Sequence, residues 1–319
     1  MKTSSYPAAL VRSRSRSRSS VVVSNLMPLG ATNTSAIPKT VGQAPLLFRL
    51  ARRMTRWGFR GGDRLVEVFG RFGMLNVIAQ YQLGRGVSFN VPLFRADTCW
   101  DKRDIEEYEN RLIHGFCLLL EPLSDVVLFD CGADIGIFSA LVCSQTSRVS
   151  RVIAFEPNPD VEGFIKRNLS QLPIPARAIT KAVGSFQGVG RLEAPFYDKS
   201  DHARFLVPGK GPLEVVTIDS IGVRGGDVAI KIDVEGGELE VLKGAAETIV
   251  SARKCVITVE ASPRVAMRTK RDPVECLRFL LSLRTFNFVI AETQETPLLS
   301  SPIIKDGQKA TRNIIACTP

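Results

Sequence analysis

A chain of 319 residues with 45% apolar and 7% aromatic side chains is ordinary globular material, long enough to bury a full core. Its net charge of +10 invites a nucleic-acid reading, but eleven of its 42 Lys and Arg and none of its 32 Asp and Glu lie in residues 1–60. That leaves 31 bases against 32 acids from residue 61 to 319, so the body of the chain is near neutral, which argues against nucleic acid as its partner. Seven cysteines, odd in number and scattered without a C-x-x-C pair, point to a reducing compartment and to neither a disulfide framework nor a zinc site. The expected location is the cytoplasm, or an organelle if the basic leader is a transit peptide.

In chain order, residues 1–45 are rich in Ser, Arg, Pro and Thr and contain RSRSRSRSS (12–20), a composition that cannot offset its own ordering entropy. A disordered leader is expected, read as a dispensable extension, a transit peptide or an RNA-contacting tract. LLFRLARRMTRWGFR (46–60) is a basic, apolar-interleaved helix, expected to pack on the domain with its arginines solvated; resting on an anionic membrane surface is the alternative. No apolar run approaches the roughly 18 residues of a membrane span. Glycines at 58, 61, 62, 70 and 73 break the helical pattern of 49–86 into short helices, and VSFNVPLF (87–94) reads as a strand or hairpin arm. These lead-in elements occupy 46–100, and a single domain is expected over 101–319.

That domain opens with a helix capped by Asp101 or Asp104, with Ile105, Tyr108, Leu112, Phe116 and Leu119 at helical spacing, ending at Pro122. Strands are then predicted at 126–130, 151–155, 176–182, 228–233 and 255–260, alternating with helices at 135–145, 160–170, 238–251 and 273–283. Such alternation is the signature of a parallel sheet with crossover helices. FNFVIAE (286–292) and RNIIACT (312–318) add two strands without an intervening helical period, an antiparallel hairpin at the sheet edge.

Ligands of an open α/β sheet bind at the carboxyl ends of its strands. Asp130, Glu156, Asp233 and Glu260 all fall there. Gly132 and Gly136 in VVLFDCGADIGIFSA (126–140) permit a tight turn and close ligand approach, but the D-x-G-x-x-x-G spacing lacks the glycines that cradle a pyrophosphate. A nucleoside without phosphates fits better, with Glu156 accepting both ribose hydroxyls.

FDCGADIGIFSA, AFEPNP (154–159), VTIDSI (216–221) and KIDVEGGELEVLKGA (231–245) resemble, in order and spacing, the signature segments of the FkbM family of S-adenosylmethionine-dependent methyltransferases. The resemblance implies a Rossmann-like α/β fold, a mostly parallel seven-stranded sheet of order 3-2-1-4-5-7-6 with strand seven antiparallel. It implies S-adenosylmethionine as cofactor, bound by Asp130, Gly132, Ala133, Gly136, Glu156 and Asn158, with Val183 and Ser185 near the adenine. Asp134 is a charge in the cofactor turn without an assigned role. Methyl transfer to an alcohol needs alignment and a proton acceptor, and the candidates are Asp233, Glu235 and His202. Glu238 is expected to serve the helix dipole, Lys231 to pair with a carboxylate, and His114 to be structural. Asp198 and Asp201 could join Asp233 around a divalent metal, but no ligand spacing demands one. The expected activity is O-methylation of a sugar, glycoconjugate or related natural product. The competing readings are a nicotinamide-dependent oxidoreductase and a non-enzymatic RNA- or membrane-associated protein acting through its basic leader.

Overall fold

A computed structural model of the protein describes residues 39–58, 61–74, 77–93, 100–193, 204–304, 308 and 310–319. Its first elements are β1 (Lys39–Val41), α1 (Leu46–Arg56), α2 (Gly62–Arg71), β2 (Val77–Gln82) and β3 (Ser88–Pro92). β2 lies where helix was expected: Val77, Ile78 and Tyr81 favour an extended chain, and pairing with β3 in the register Ile78↔Pro92 to Gln82↔Ser88 fixes it. β1 adds in parallel on the other side of β2.

The helix expected from residue 101 to 121 is two. α3 (Lys102–Glu107) starts with a capping box, in which Asp101 and Asp104 each accept the other's backbone N–H at 3.0 and 2.8 Å. The turn then breaks at Tyr108 and Glu109, the latter at φ 40°, before α4 (Asn110–Leu120) buries Leu112, Ile113, Phe116 and Leu120. Asp101 and Asp104 also receive Arg56 at 2.6 and 2.9 Å, and Asp104 receives Arg52 at 3.0 Å. The arginine side of α1 is therefore partly engaged by the domain rather than simply solvated.

β4 (Val126–Cys131), α5 (Ile137–Gln145), β5 (Val149–Phe155), α6 (Glu162–Leu169) and β6 (Ala176–Ile179) follow. The third predicted strand stops at Ile179. Ala182–Val183 (β7) leaves for a separate four-stranded sheet with β8 (Gly188–Glu193), β9 (Phe205–Pro208) and β10 (Leu213–Val216), in the order β7-β10-β8-β9. The chain between the third and fourth predicted strands thus carries strand structure on both sides of residues 194–203. The chain returns through β11 (Val228–Ile232), α7 (Glu238–Lys243), α8 (Ala246–Ser251), β12 (Cys255–Ala261), α9 (Pro263–Thr269), α10 (Val274–Leu283), β13 (Asn287–Ile290) and β14 (Arg312–Cys317). The predicted helix over 238–251 is divided at Gly244 and Ala245. α9, which begins with Pro263 in the first turn, was not anticipated.

The central sheet is β6-β5-β4-β11-β12-β14-β13, parallel except that β14 runs antiparallel to both neighbours. Counted within this sheet alone the strands lie in the order 3-2-1-4-5-7-6. The sheet is mixed, and two smaller sheets accompany it. β4 and β11 are buried at every residue, because apolar layers cover both faces. Among the described residues no helix is long and apolar enough to cross a membrane, and six described cysteines are free thiols.

One buried side chain joins the first hairpin to the loop after β4. Asn168 of α6 accepts the backbone and side-chain N–H of Asn90 in β3 at 2.8 and 3.1 Å, and donates to the carbonyls of Asn90 and Ile135 at 2.9 and 2.8 Å. Its removal strands several buried polar groups, each worth roughly 1–3 kcal/mol when left unpaired. Asn168→Ala is expected to lower stability by about 2–4 kcal/mol on that scale, read from urea unfolding; an unchanged midpoint would show that the clasp contributes nothing.

Candidate active site

The carboxyl ends of β4, β5, β11 and β12 open onto a cleft of about 350 Å³, within the range of small-molecule sites. Its floor is set by the meeting of two strand ends. Lys231 pairs in register with Asp130, and beyond them the chain turns at Gly132, φ 75°. A Cβ on Gly132 would sit 1.8 Å from the Asp233 carbonyl oxygen, so only glycine lets the two turns approach this closely. Asp130 itself is fully buried, receives the Ser139 hydroxyl at 2.6 Å, and has its other oxygen without a hydrogen bond, 3.7 Å from the Lys231 ammonium. It supports the turn from behind and does not line the cleft. Gly136 also lies outside the cleft wall, serving as the left-handed cap of α5 at φ 86°.

Glu156 directly follows β5, and two backbone amides hold its carboxylate. One carboxylate oxygen accepts the Asp134 N–H at 2.7 Å and the other the Asn158 N–H at 2.8 Å. Asp134 adopts φ 50° to present that amide, which gives this residue the role the sequence left open. Burial, then the negative charge of Asp134, push the Glu156 carboxyl up to about 7 against the pull of the two amides. Asn158 lies beside it and caps the next turn by accepting the Asp160 N–H at 3.1 Å.

The opposite wall belongs to β11 and its neighbours. Lys231, 4% exposed, donates to the Gly132 carbonyl at 2.7 Å and lies 3.3 Å from Asp233. Burial opposes its charge, but Asp233, Asp130 and Glu109 together outweigh that and hold its pKa above the ordinary lysine range. Glu235, at φ 56°, faces the cleft while Arg268 grips its carbonyl and stands 3.8 Å from its carboxylate. Glu238 folds back onto the Gly236 N–H at 2.8 Å and stays out of the cleft, a first-turn acid of α7. Glu260 and Glu109 complete the wall. Burial first, then Asp233, raise both carboxyls, Glu109 to about 7 and Glu260 well above its usual value.

The structure therefore brings together Gly132, Ala133, Glu156, Asn158, Val183, Asp233 and Glu235 around one cavity. Ser185 is displaced from it: its exposed hydroxyl donates to Glu240 at 2.7 Å, because the chain has left the central sheet by then, and Ala182 lines the wall beside Val183 instead. His202, Asp198 and Asp201 lie outside the described residues, and among those described no group of three metal-ligating side chains is placed to hold an ion. His114 points outward on α4. The residue most clearly missed is Glu109, with the adjacent Tyr108 and its ring partner Trp100 at 5.4 Å. Glu109 falls inside the stretch predicted as one continuous helix, and only the break in that helix turns it into the site. Asn313 of β14 donates to it at 3.3 Å.

The cleft opens at the switch point of an open α/β sheet and is walled by Glu109, Asp134, Glu156, Asp233, Glu235 and Glu260 against Lys231 and Arg204, a surplus of carboxylates at the place where such sheets bind their ligands. A family model described as the methyltransferase FkbM domain matches residues 130–289, and the chain belongs to that methyltransferase family. A hexuronic acid methyltransferase, AglP, from Haloferax volcanii is 32% identical over 149 residues, covering 45% of this chain and 60% of the relative, so the chain spans less than two thirds of that protein. Among solved structures, methyltransferase FkbM from Methylobacillus flagellatus KT is 20% identical with a TM-score of 0.38, over 60% of this chain and 43% of that chain. Precorrin-6y C5,15-methyltransferase from Geobacter metallireducens GS-15 is 14% identical with a TM-score of 0.34, over 65% and 86%.

Two outcomes follow from the electrostatics. Lys231→Met leaves Asp130 buried without its cation, and a loss of about 3–5 kcal/mol in chemical denaturation is expected. Glu109 and Glu156 hold protons more tightly when folded than their ordinary 4.5, with folded values of about 7. Their contribution to stability is thus full below about 4.5 and lost as pH rises through about 7. Glu156→Gln, uncharged at every pH, should flatten that part of the stability profile; a profile identical to the parent would contradict the raised value.

Proposed function

We propose that this protein methylates a hydroxyl of a sugar, glycoconjugate or related small-molecule acceptor, using S-adenosylmethionine. The observation that carries the cofactor reading is Glu156. Two backbone amides fix its carboxylate at the cleft, and each oxygen keeps a lone pair for a ribose hydroxyl. The cavity also fits the rest of the molecule in kind. Gly132 and Ala133 present bare backbone, Val183 and Ala182 offer an apolar wall for a base, and the surplus of carboxylates complements a sulfonium and an amino-acid ammonium. The sugar acceptor rests on the relative named as a hexuronic acid methyltransferase.

Bound here, S-adenosylmethionine would supply an electrophilic methyl group on a sulfonium, with a neutral thioether as the leaving group. The chain's own work is to hold the acceptor oxygen in line with that methyl group and to take the oxygen's proton. Asp233 and Glu109 flank Lys231 on the wall facing Glu156, and either carboxylate can receive the proton. Glu109, with its pKa raised to about 7 by burial and by Asp233, is tuned for proton exchange near neutrality. Lys231 steers both without entering the reaction.

Calorimetric titration with S-adenosylmethionine and S-adenosylhomocysteine tests the cofactor. Micromolar binding by the parent and its loss in Glu156→Ala are expected, and undiminished binding by that variant would overturn the reading. Asp233→Asn and Glu109→Gln are expected to keep cofactor affinity within a few-fold and to lower turnover by about 10²-fold or more where the residue accepts the proton. Ligands that recruit ionised carboxylates displace protons, so the thermal shift on adding S-adenosylmethionine should be larger at about pH 8 than at about pH 6.

A further inference from the structure

The surface of the N-terminal helix pair is organised in a way the methyl-transfer site does not use. On α1 and its C-cap residue Trp57, with 3.6 residues per turn, Leu46, Leu47, Leu50 and Trp57 fall within an arc of about 100°, and all are exposed, Trp57 at 69%. Phe48 and Ala51, on the adjoining arc, are buried against the domain, so the exposed stripe is a second apolar side of the helix and not part of its packing face. α2 repeats the arrangement: Leu65, Val68 and Phe72 share an arc of about 60° and are exposed, Phe72 at 77%, while Val66 is buried. The helices touch where Gly62 lies on Ala51 and Thr55; a Cβ at Gly62 would meet the Ala51 carbonyl oxygen at 2.8 Å.

Arginine borders each stripe. Arg49 and Arg53 follow the α1 stripe and Arg64 and Arg71 the α2 stripe, all exposed, and Arg53 stacks over Trp57 at 4.5 Å. Arg52 and Arg56 are committed to Asp101 and Asp104, which orients α1 on the domain. α1 contains no acid, and the sequence before it adds six Lys or Arg and no Asp or Glu. Helices of 11 and 10 residues are too short to span a bilayer but long enough to lie in its interface.

We propose that α1 and α2 are a docking face for an anionic lipid surface, with the leucines, Trp57 and Phe72 entering the headgroup boundary and the bordering arginines meeting lipid phosphate and carboxylate. A second copy of the chain is a poorer occupant, because a two-fold contact would set arginine fringes against each other. A nucleic acid would satisfy the arginines and leave the apolar stripes in water. The proposal is independent of the reaction assigned to the cleft.

Co-sedimentation of the full chain with vesicles of phosphatidylcholine, with and without phosphatidylserine, tests it. Binding to the serine-containing vesicles is expected to fall with salt, with a blue shift of tryptophan emission that disappears in Trp57→Phe. Because each arginine near an anionic surface contributes about five-fold, Arg49→Glu with Arg53→Glu should weaken binding by at least about 25-fold. Leu50→Ser with Phe72→Ser should abolish it while leaving the thermal midpoint of these surface positions unchanged. Absence of binding to anionic vesicles, binding that survives both double variants, or a concentration-dependent dimer dissolved by Leu50→Ser with Phe72→Ser would each overturn it.

Discussion

A single ammonium group holds the site together. Lys231 is sealed in the sheet between the ends of β4 and β11, reaching the carbonyl of Gly132 at 2.7 Å, Asp233 at 3.3 Å and Asp130 at 3.7 Å. A buried charge of this kind is tolerable only when fully surrounded by partners, so each partner is fixed in turn. Asp130 fixes Ser139 at the start of α5, Gly132 fixes the approach of two turns that admit no side chain between them, and Asp233 fixes one wall of the cleft. The lysine that the sequence offered as an incidental ion pair is the hub from which the turn after β4 and the turn after β11 take their relative positions.

Around that hub the free protein carries more negative charge than it can comfortably ionise. Glu109, Glu156 and Glu260 are all pushed up, first by burial and then by other carboxylates. Such crowding costs free energy, and a cation or hydroxyl donors relieve it. The same groups, which raise one another, complement positive charge, and Glu109 lies near the pKa at which a carboxylate exchanges protons most readily at neutral pH.

Much of this architecture was legible from residue patterns. Buried parallel strands announce themselves as apolar runs, and VVLFD and VAIKID end on acids that the parallel alignment brings to one edge. Glycines 132 and 136 marked the turn for the right reason, although only the first touches the cleft. What was not legible depends on contacts distant in sequence. Glu109 sits in a helical pattern that breaks where Tyr108 and Glu109 turn toward the cleft, and Asn313, its donor, arrives from the far end of the chain. β2 obeyed its β-branched residues and its pairing with β3 rather than the glycine spacing around it. Ser185 followed the strand that left the central sheet. Asp134 acts through its backbone N–H and a positive φ, neither of which side-chain chemistry can foretell.

The clasp made by Asn168 bears on how portable this enzyme's core is. The segment matched by the family model begins at residue 130 and ends at 289, yet the loop it contains is latched through Asn168 to Asn90, outside that segment. At the other boundary β12 gains its antiparallel neighbour only from β14, which also brings the amide that faces Glu109. Cutting at the family boundaries would remove most of β4 and all of β14, leave the β12 edge unpaired, and strand the Asn168 amide that bonds Asn90 beneath the turn after β4. The unit that packs as one fold is therefore wider than the segment matched by the family model.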